Sequence, residues 1–326
     1  MAGRDDDVTG DRRARGQALE GVRVQVTVAV EPRPGRVGSF LRLVKVEHSI
    51  FALPFAYLAT LTAMTLHGRR VRWLDLLLVT IAMVGARTFA MAANRILDRH
   101  IDARNPRTAM RELVTGAVSV RTAWTGAVVA LIVLVAAAAL LNPLCLALSP
   151  LAAIPLIIYP YGKRFTNWPH AILGLAQMVA PVGAWLAVTG TFHGSGPAWV
   201  LGVAVGLWIG GFDLIYACQD VEVDRQIGVH SVPARYGIRF ALNASSVAHV
   251  ATFVLFVWFG ALVGLGWLWW IGLLVTAVVF IYEHAIVSPT DLSRVNRAFF
   301  DANGFVGIAL FVFALADLVI RSGLRV

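Results

Sequence analysis

Long apolar stretches dominate the chain, and short polar, basic or proline-bearing segments interrupt them at regular intervals. A transmembrane helix needs about 20 largely apolar residues. Nine segments meet that measure, roughly 48–67, 73–93, 122–141, 143–160, 169–190, 197–217, 241–265, 267–287 and 298–320. Only Asn142-Pro143 divides the block 122–160, and only Leu265-Gly266 divides 241–287. Each block is too long for one span, so each reads as a helical hairpin. Residues 1–40 depart from the pattern. A brief alternating run, VRVQVTVAV, is followed by EPRPGRVGSF, which breaks regular structure. The expected organisation is a polar, disordered tail over 1–40 and an all-α transmembrane domain over 41–326.

Composition sharpens this. The 326 residues are 58% hydrophobic and 14% charged. Soluble domains run at about 45–50% apolar and about 25% charged. Disorder across the chain needs the opposite balance. The formal charge of +9 would suggest nucleic acid in a soluble protein. Here the basic residues fall in short groups between spans, which is the pattern of membrane topology, and no nucleic-acid partner is expected. Placing the N-terminus inside leaves only Arg69, Arg70, Arg72, Arg321 and Arg325 on the opposite side, with Arg87 inside a span. The expected orientation is therefore N-terminus cytoplasmic in the cell membrane, with the long polar loops and the functional face inside. The opening segment has no apolar core of a signal peptide. Cys145 and Cys218 form no metal spacing.

Candidate chemistry sits where two spans end. Asn94, Asp98 and Asp102 recur every four residues, and Arg87 lies seven before Asn94. Residues i and i+4 share a helix face. The sixth span repeats the device with Asp213, Asp220 and Asp224, while Glu222 falls on the opposite face. Each like charge near hydrocarbon costs a few kcal/mol, so gathering several requires a reason. A divalent cation supplies one: carboxylate and amide oxygens suit Mg²⁺, which is commonly shared with phosphate oxygens. Paired stripes would hold two such ions around one diphosphate. Solvated interfacial carboxylates explain one such motif, but account poorly for two that close apolar spans on one face.

Cations surround the acids: Arg95, Arg99, Arg104, Arg107 and Arg111 by the first stripe, Arg225 and Arg235 after the second. Lys163 is one of two lysines and stands with Arg164 in YPYGKRFT, among Tyr159, Tyr161 and Phe165. Metal and cationic donors together stabilise a departing diphosphate. Aromatic faces attract a nearby carbocation, although a plain interfacial belt accounts for the same residues.

Taken together, NRILDRHIDARNPRT, YPYGKRFT and DLIYACQDVEVDRQIGVHSVPARYG resemble the three signature segments of the UbiA superfamily of intramembrane prenyltransferases. KVEHSIFALPFA resembles that family's first span, and the likeness covers about 41–320. Relatives often read RPLPSG where this chain has RELVTG at 111–116. The flavour is that of 4-hydroxybenzoate polyprenyltransferases, including the branch thought to prenylate a dihydroxynaphthoate toward menaquinone. The resemblance implies nine transmembrane helices around a central cavity open to the cytoplasm and to lipid. It implies that Asn94, Asp98, Asp102, Asp220 and Asp224 bind two Mg²⁺ and, through them, a polyprenyl diphosphate. Lys163, Arg164, Arg225, Arg87 and Arg107 would bind diphosphate oxygens. The aromatic acid acceptor would meet Arg99, His48, Asp213 and Tyr216. Haem, chlorophyllide and lipid precursors are alternative acceptors within the same architecture. A transporter is the reading from another class, but it would show internal repeats and charged groups at mid-membrane rather than at span ends.

Overall fold

In a computed structural model the protein is all-helical, with residues 51–68 and 70–322 described together with Gly38, Phe40, Leu43 and Val44. His48 and nearly all of the tail expected over 1–40 lie outside the described residues.

A short apolar helix, α1 (Leu53–Leu66), is followed by α2 (Trp73–Asp102), α3 (Val120–Leu141), α4 (Pro143–Phe165) and α5 (Pro169–Thr189). Then come α6 (Gly196–Ala217), a 3₁₀ turn (Cys218–Asp220), α7 (Val221–Ile227) and α8 (Val232–Tyr236). The chain closes with α9 (Ile238–Val263), α10 (Trp267–Ala285), a π-helical turn (Arg297–Ala302) and α11 (Asn303–Ser322). Among the described residues eight helices are long and apolar enough to cross a membrane, counting α6–α7 and the π turn with α11 as single spans, and α1 is a shorter ninth.

Both hairpin divisions stand as expected, each for a visible reason. Asn142 ends α3 and caps α4, its side-chain oxygen accepting from the Cys145 N–H at 2.9 Å. Its amide nitrogen donates to the carbonyls of Leu186 and Ala187 on α5. Between α9 and α10, Gly264 adopts φ +67°, and the Gly266 N–H donates to Asp317 at 2.6 Å. The second span ends in a helix, as the spacing of its acidic stripe predicts. Helix α2 continues nine residues beyond the apolar stretch that ends at 93, to Asp102, without a break, because its polar end finds cross-helix partners.

Membrane helices associate through close backbone approach at small residues. Gly202, Gly206 and Gly210 repeat every four positions on α6. A Cβ on Gly206 would lie 2.7 Å from the Gly174 carbonyl oxygen of α5, and one on Gly174 would lie 2.6 Å from that of Gly206. Outward faces are apolar: Val247, Val250, Val254 and Trp258 form an exposed stripe along α9. In water such a surface would be a liability; in a bilayer it is the solvent-facing side. Trp185, Trp208 and Trp269 fill the interior.

Successive spans alternate in direction, so α2, α4, α6 and α10 all finish at one end of the bundle. The long polar connections lie there, and the tight turns at 142, 190–195 and 264–266 lie at the other.

Candidate active site at the polar end of the bundle

The stripe on α2 is real and buried. Asp98 has no exposed surface, and Asn94 and Asp102 are nearly as enclosed. Burial of this kind requires partners. Lys163, in the last turn of α4, donates to Asp98 Oδ2 at 2.6 Å, and Arg164 to Asp98 Oδ1 at 3.1 Å. Arg164 also bonds the Leu97 carbonyl. Asn94 Nδ2 donates to the Tyr159 hydroxyl at 2.9 Å and to Asp98 at 3.3 Å. Tyr159 stands four residues before Lys163, on the same face of α4. Arg111 donates to Asp102 Oδ1 at 2.6 Å, so the altered RELVTG segment still brings its arginine to the first stripe.

The second stripe is interrupted. The 3₁₀ turn at Cys218–Asp220 breaks α6 before α7 begins. Asp220 accepts from Asn105 Nδ2 at 2.9 Å and forms a bidentate pair with Arg107. Burial works against the Arg107 charge, but the hydrogen bond and charge of Asp220 outweigh it and hold the guanidinium's pKa above its usual value. Arg107 also donates to the Tyr216 hydroxyl at 2.9 Å and lies 5.1 Å over that ring. Asp224 accepts from the Ser231 hydroxyl at 2.9 Å. The neighbouring His230 N–H donates to the Lys163 carbonyl, which brings the loop after the second motif against α4. The Glu222 side chain is 80% exposed, on the side opposite its flanking aspartates.

Beside this cluster opens a cavity of about 620 Å³. Asn94, Arg95, Arg111, Tyr159, Asp213 and Tyr216 line its polar end. Leu141, Cys145, Phe192 and Trp199 line it near the tight turns, so it extends most of the length of the bundle. Arg87 and Met83 lie along its wall. The π turn before α11 projects Phe299 into the lining, against Tyr216 with ring centroids 4.2 Å apart. Asp213 accepts from His170 Nδ1 at 2.7 Å.

Two expected residues turn elsewhere. Arg225 bonds the Ala234 carbonyl at 3.0 Å and approaches Glu222. Arg99, one residue and about 100° round the helix from Asp98, bonds the His100 ring and does not line the cavity. Tyr161 and Phe165 are exposed, in keeping with an interfacial belt, whereas Tyr159 is inside the cluster. Sequence reading did not single out Asn105, His170 or Ser231 and gave Arg95 no role. Asn105 carried a faint signal, because it follows the first stripe directly; His170 and Ser231 carried none.

An all-oxygen set of four carboxylates fits Mg²⁺ well. The cations now holding three of them are the ones a diphosphate would attract.

Residues 53–311 match the UbiA prenyltransferase family. A protein of Xanthomonas campestris pv. campestris named 4-hydroxybenzoate octaprenyltransferase is 33% identical over 291 residues, 88% of this chain and 94% of that one. The apo structure of a UbiA homolog from Aeropyrum pernix K1 is 36% identical, with a TM-score of 0.76, and covers 84% of this chain and 98% of that one. A UbiA homolog from Archaeoglobus fulgidus bound to DMAPP and Mg²⁺ is 19% identical with a TM-score of 0.65, covering 86% of this chain and 99% of that one, and shares the fold. The sequence match, the shared fold and the motif-bearing helix ends agree: this multi-pass membrane chain belongs to the UbiA prenyltransferase family.

Proposed function

We propose that the protein transfers a polyprenyl group from polyprenyl diphosphate to the ring of an aromatic acid of the 4-hydroxybenzoate or 1,4-dihydroxy-6-naphthoate type, in quinone biosynthesis at the cytoplasmic face of the cell membrane. One observation carries this reading: a charged cluster built to hold a diphosphate adjoins a long apolar cavity suited to an isoprenoid tail. The names of the relatives supply the acceptor class.

Lys163, Arg164 and Arg107 bind the diphosphate oxygens as the allylic C–O bond breaks and its electron pair leaves with the phosphate. Two Mg²⁺ bound by Asn94, Asp98, Asp102, Asp220 and Asp224 would add positive charge against the leaving diphosphate. Tyr159, Tyr216 and Phe299 present aromatic surface to the allylic cation. A ring carbon ortho to the acceptor's phenol attacks that cation, and loss of the ring proton restores aromaticity. Asp213, paired with His170 on the cavity wall, is placed to take that proton.

The acceptor's carboxylate needs a cation, and Arg95 suits it better than Arg99. Arg95 is 4% exposed, lines the cavity and has no carboxylate within ion-pair distance among the described residues. Its Nε reaches only the Leu43 carbonyl, at 3.4 Å. A buried guanidinium with no carboxylate in contact favours an anionic ligand.

The test offers membranes containing the protein both aromatic acids in competition, with one polyprenyl diphosphate and Mg²⁺. Prenylated product from either acid supports the reading. Release of diphosphate with neither acid prenylated overturns the acceptor assignment.

A further inference from the structure

Away from the cavity, α6, α9, α10 and α11 enclose a second polar group: His249 on α9, Glu283 and His284 on α10, and Asn303 at the start of α11. The hydrogens around it can be assigned one by one. Trp208 Nε1 donates to Asn303 Oδ1 at 2.6 Å. Asn303 Nδ2 donates to Glu283 Oε1 at 2.7 Å and to the Ala298 carbonyl. His249 Nε2 faces the Trp208 backbone carbonyl at 3.3 Å. That carbonyl can only accept, so Nε2 carries the hydrogen. The Ser246 hydroxyl donates to the Leu242 carbonyl at 3.0 Å, which leaves its oxygen to accept from His284 Nδ1 at 3.2 Å.

What remains is a set of lone pairs. His249 Nδ1 and His284 Nε2 lie 3.0 Å apart, each without a hydrogen in the neutral rings. Glu283 Oε2 lies 3.5 Å from His249 Nδ1; it is buried, on a residue with no exposed surface, and has no hydrogen-bond partner among the described residues. Three acceptors thus converge where no donor among the described residues serves them, in surroundings where unpaired polar atoms are costly.

We propose that His249, Glu283 and His284 bind a zinc-class divalent ion that ties α9 to α10. Two imidazole nitrogens and one carboxylate oxygen are the donor set of such an ion rather than of Mg²⁺. With bonds of about 2.0–2.2 Å in a tetrahedral arrangement, ligand atoms stand about 3.3–3.6 Å apart. The His249–Glu283 separation of 3.5 Å lies in that range, the 3.0 Å between the two imidazole nitrogens falls a little short of it, and all three ligand atoms lie within 4.8 Å of one another. The far nitrogen of each ring and the far oxygen of the carboxylate are held by protein groups, the outer shell that fixes ligand orientation. Phe280 stacks on the His249 ring at 4.5 Å, and a Cβ on Gly211 would lie 2.8 Å from that ring, so the imidazole is packed closely between α10 and α6. His284 is only half-buried and gives the ion a way in.

The test uses the full chain in detergent with saturating Mg²⁺, so that the oxygen-rich active site is filled. The protein is first stripped with chelator, then returned to saturating Mg²⁺, given Zn²⁺, desalted into Mg²⁺ buffer, and its zinc measured by mass spectrometry. Wild type and Asp98→Asn should each retain one zinc per chain, while His284→Ala and Glu283→Gln fall to background. Glu283→Gln keeps an oxygen for Asn303 and supplies an N–H toward His249, so it should fold even where His284→Ala does not. Cobalt-loaded wild type should show the visible absorption of a four-coordinate site, lost in Glu283→Gln. Absence of stoichiometric zinc in wild type, or zinc lost from Asp98→Asn and retained by Glu283→Gln, would overturn the proposal.

Discussion

The two aspartate motifs share a four-residue spacing but stand in different settings. The first lies on an unbroken helix, and its central carboxylate, Asp98, is fixed by Lys163 and Arg164 from a second helix. The second spans a 3₁₀ turn. Asp220 is gripped by Asn105 and Arg107 from the loop that follows the first motif, and Asp224 by Ser231, only seven residues away. Thus one motif is a rigid tie between spans, and the other is held by connecting segments. Identical spacing in sequence does not imply equal mechanical or electrostatic roles, because partners come from elsewhere in the chain.

Chelation treats both motifs alike and should have the largest effect. With the carboxylates deprived of Mg²⁺, prenyl transfer should stop in EDTA and return with added Mg²⁺. Initial rates with polyprenyl diphosphate and acceptor measure this, and full turnover in chelator would end the shared-metal reading of the two motifs.

The sharpest contrast comes next. Asp98→Asn should cost at least ~1,000-fold in rate, about 4 kcal/mol of barrier. It should also lower the thermal midpoint in detergent by about 3 °C or more, since two cations lose a buried anion. Lys163→Ala should be nearly as severe in rate. If Asp98→Asn unfolds at the wild-type temperature, the first motif is not the tie between α2 and α4 that its contacts suggest.

Asp220→Asn and Asp224→Asn should each cost at least ~100-fold, about 2.7 kcal/mol. Asp224→Asn should leave the thermal midpoint unchanged, because its bond to Ser231 is local. A midpoint drop equal to that of Asp98→Asn would erase the distinction between the motifs.

The smallest effect belongs to Glu222→Gln, within about threefold of wild type, under ~0.7 kcal/mol. Its carboxylate is exposed and, among the described residues, meets only Arg225. A loss matching that of Asp220→Asn, measured as initial rate per folded protein, would show that the face assignment fails beyond the 3₁₀ turn.

Much of this was legible in the residues. Span number and both hairpin turns follow from apolar length and from Asn142-Pro143 and Leu265-Gly266. The helix faces of Asn94, Asp98 and Asp102, and the outward turn of Glu222, follow from 100° per residue. The same arithmetic could not say that Arg99 bonds His100 while Arg95 lines the cavity, because both are arginines near one stripe. Nor could it foresee Arg225 turning to the Ala234 carbonyl.

By itself, then, the sequence determined an all-helical membrane bundle with two acidic motifs at one end, since hydropathy and period are local properties written into consecutive residues. Tertiary structure alone decided which cation meets which carboxylate, that a cavity runs from the acids toward the far turns, and that His249, Glu283 and His284 converge between helices. Apart from Arg111 with Asp102, 9 positions apart, those pairings join residues from 34 to 113 positions apart, and the physical reason is plain: in a medium without water, a buried polar group takes its partner from whichever helix packing has placed against it.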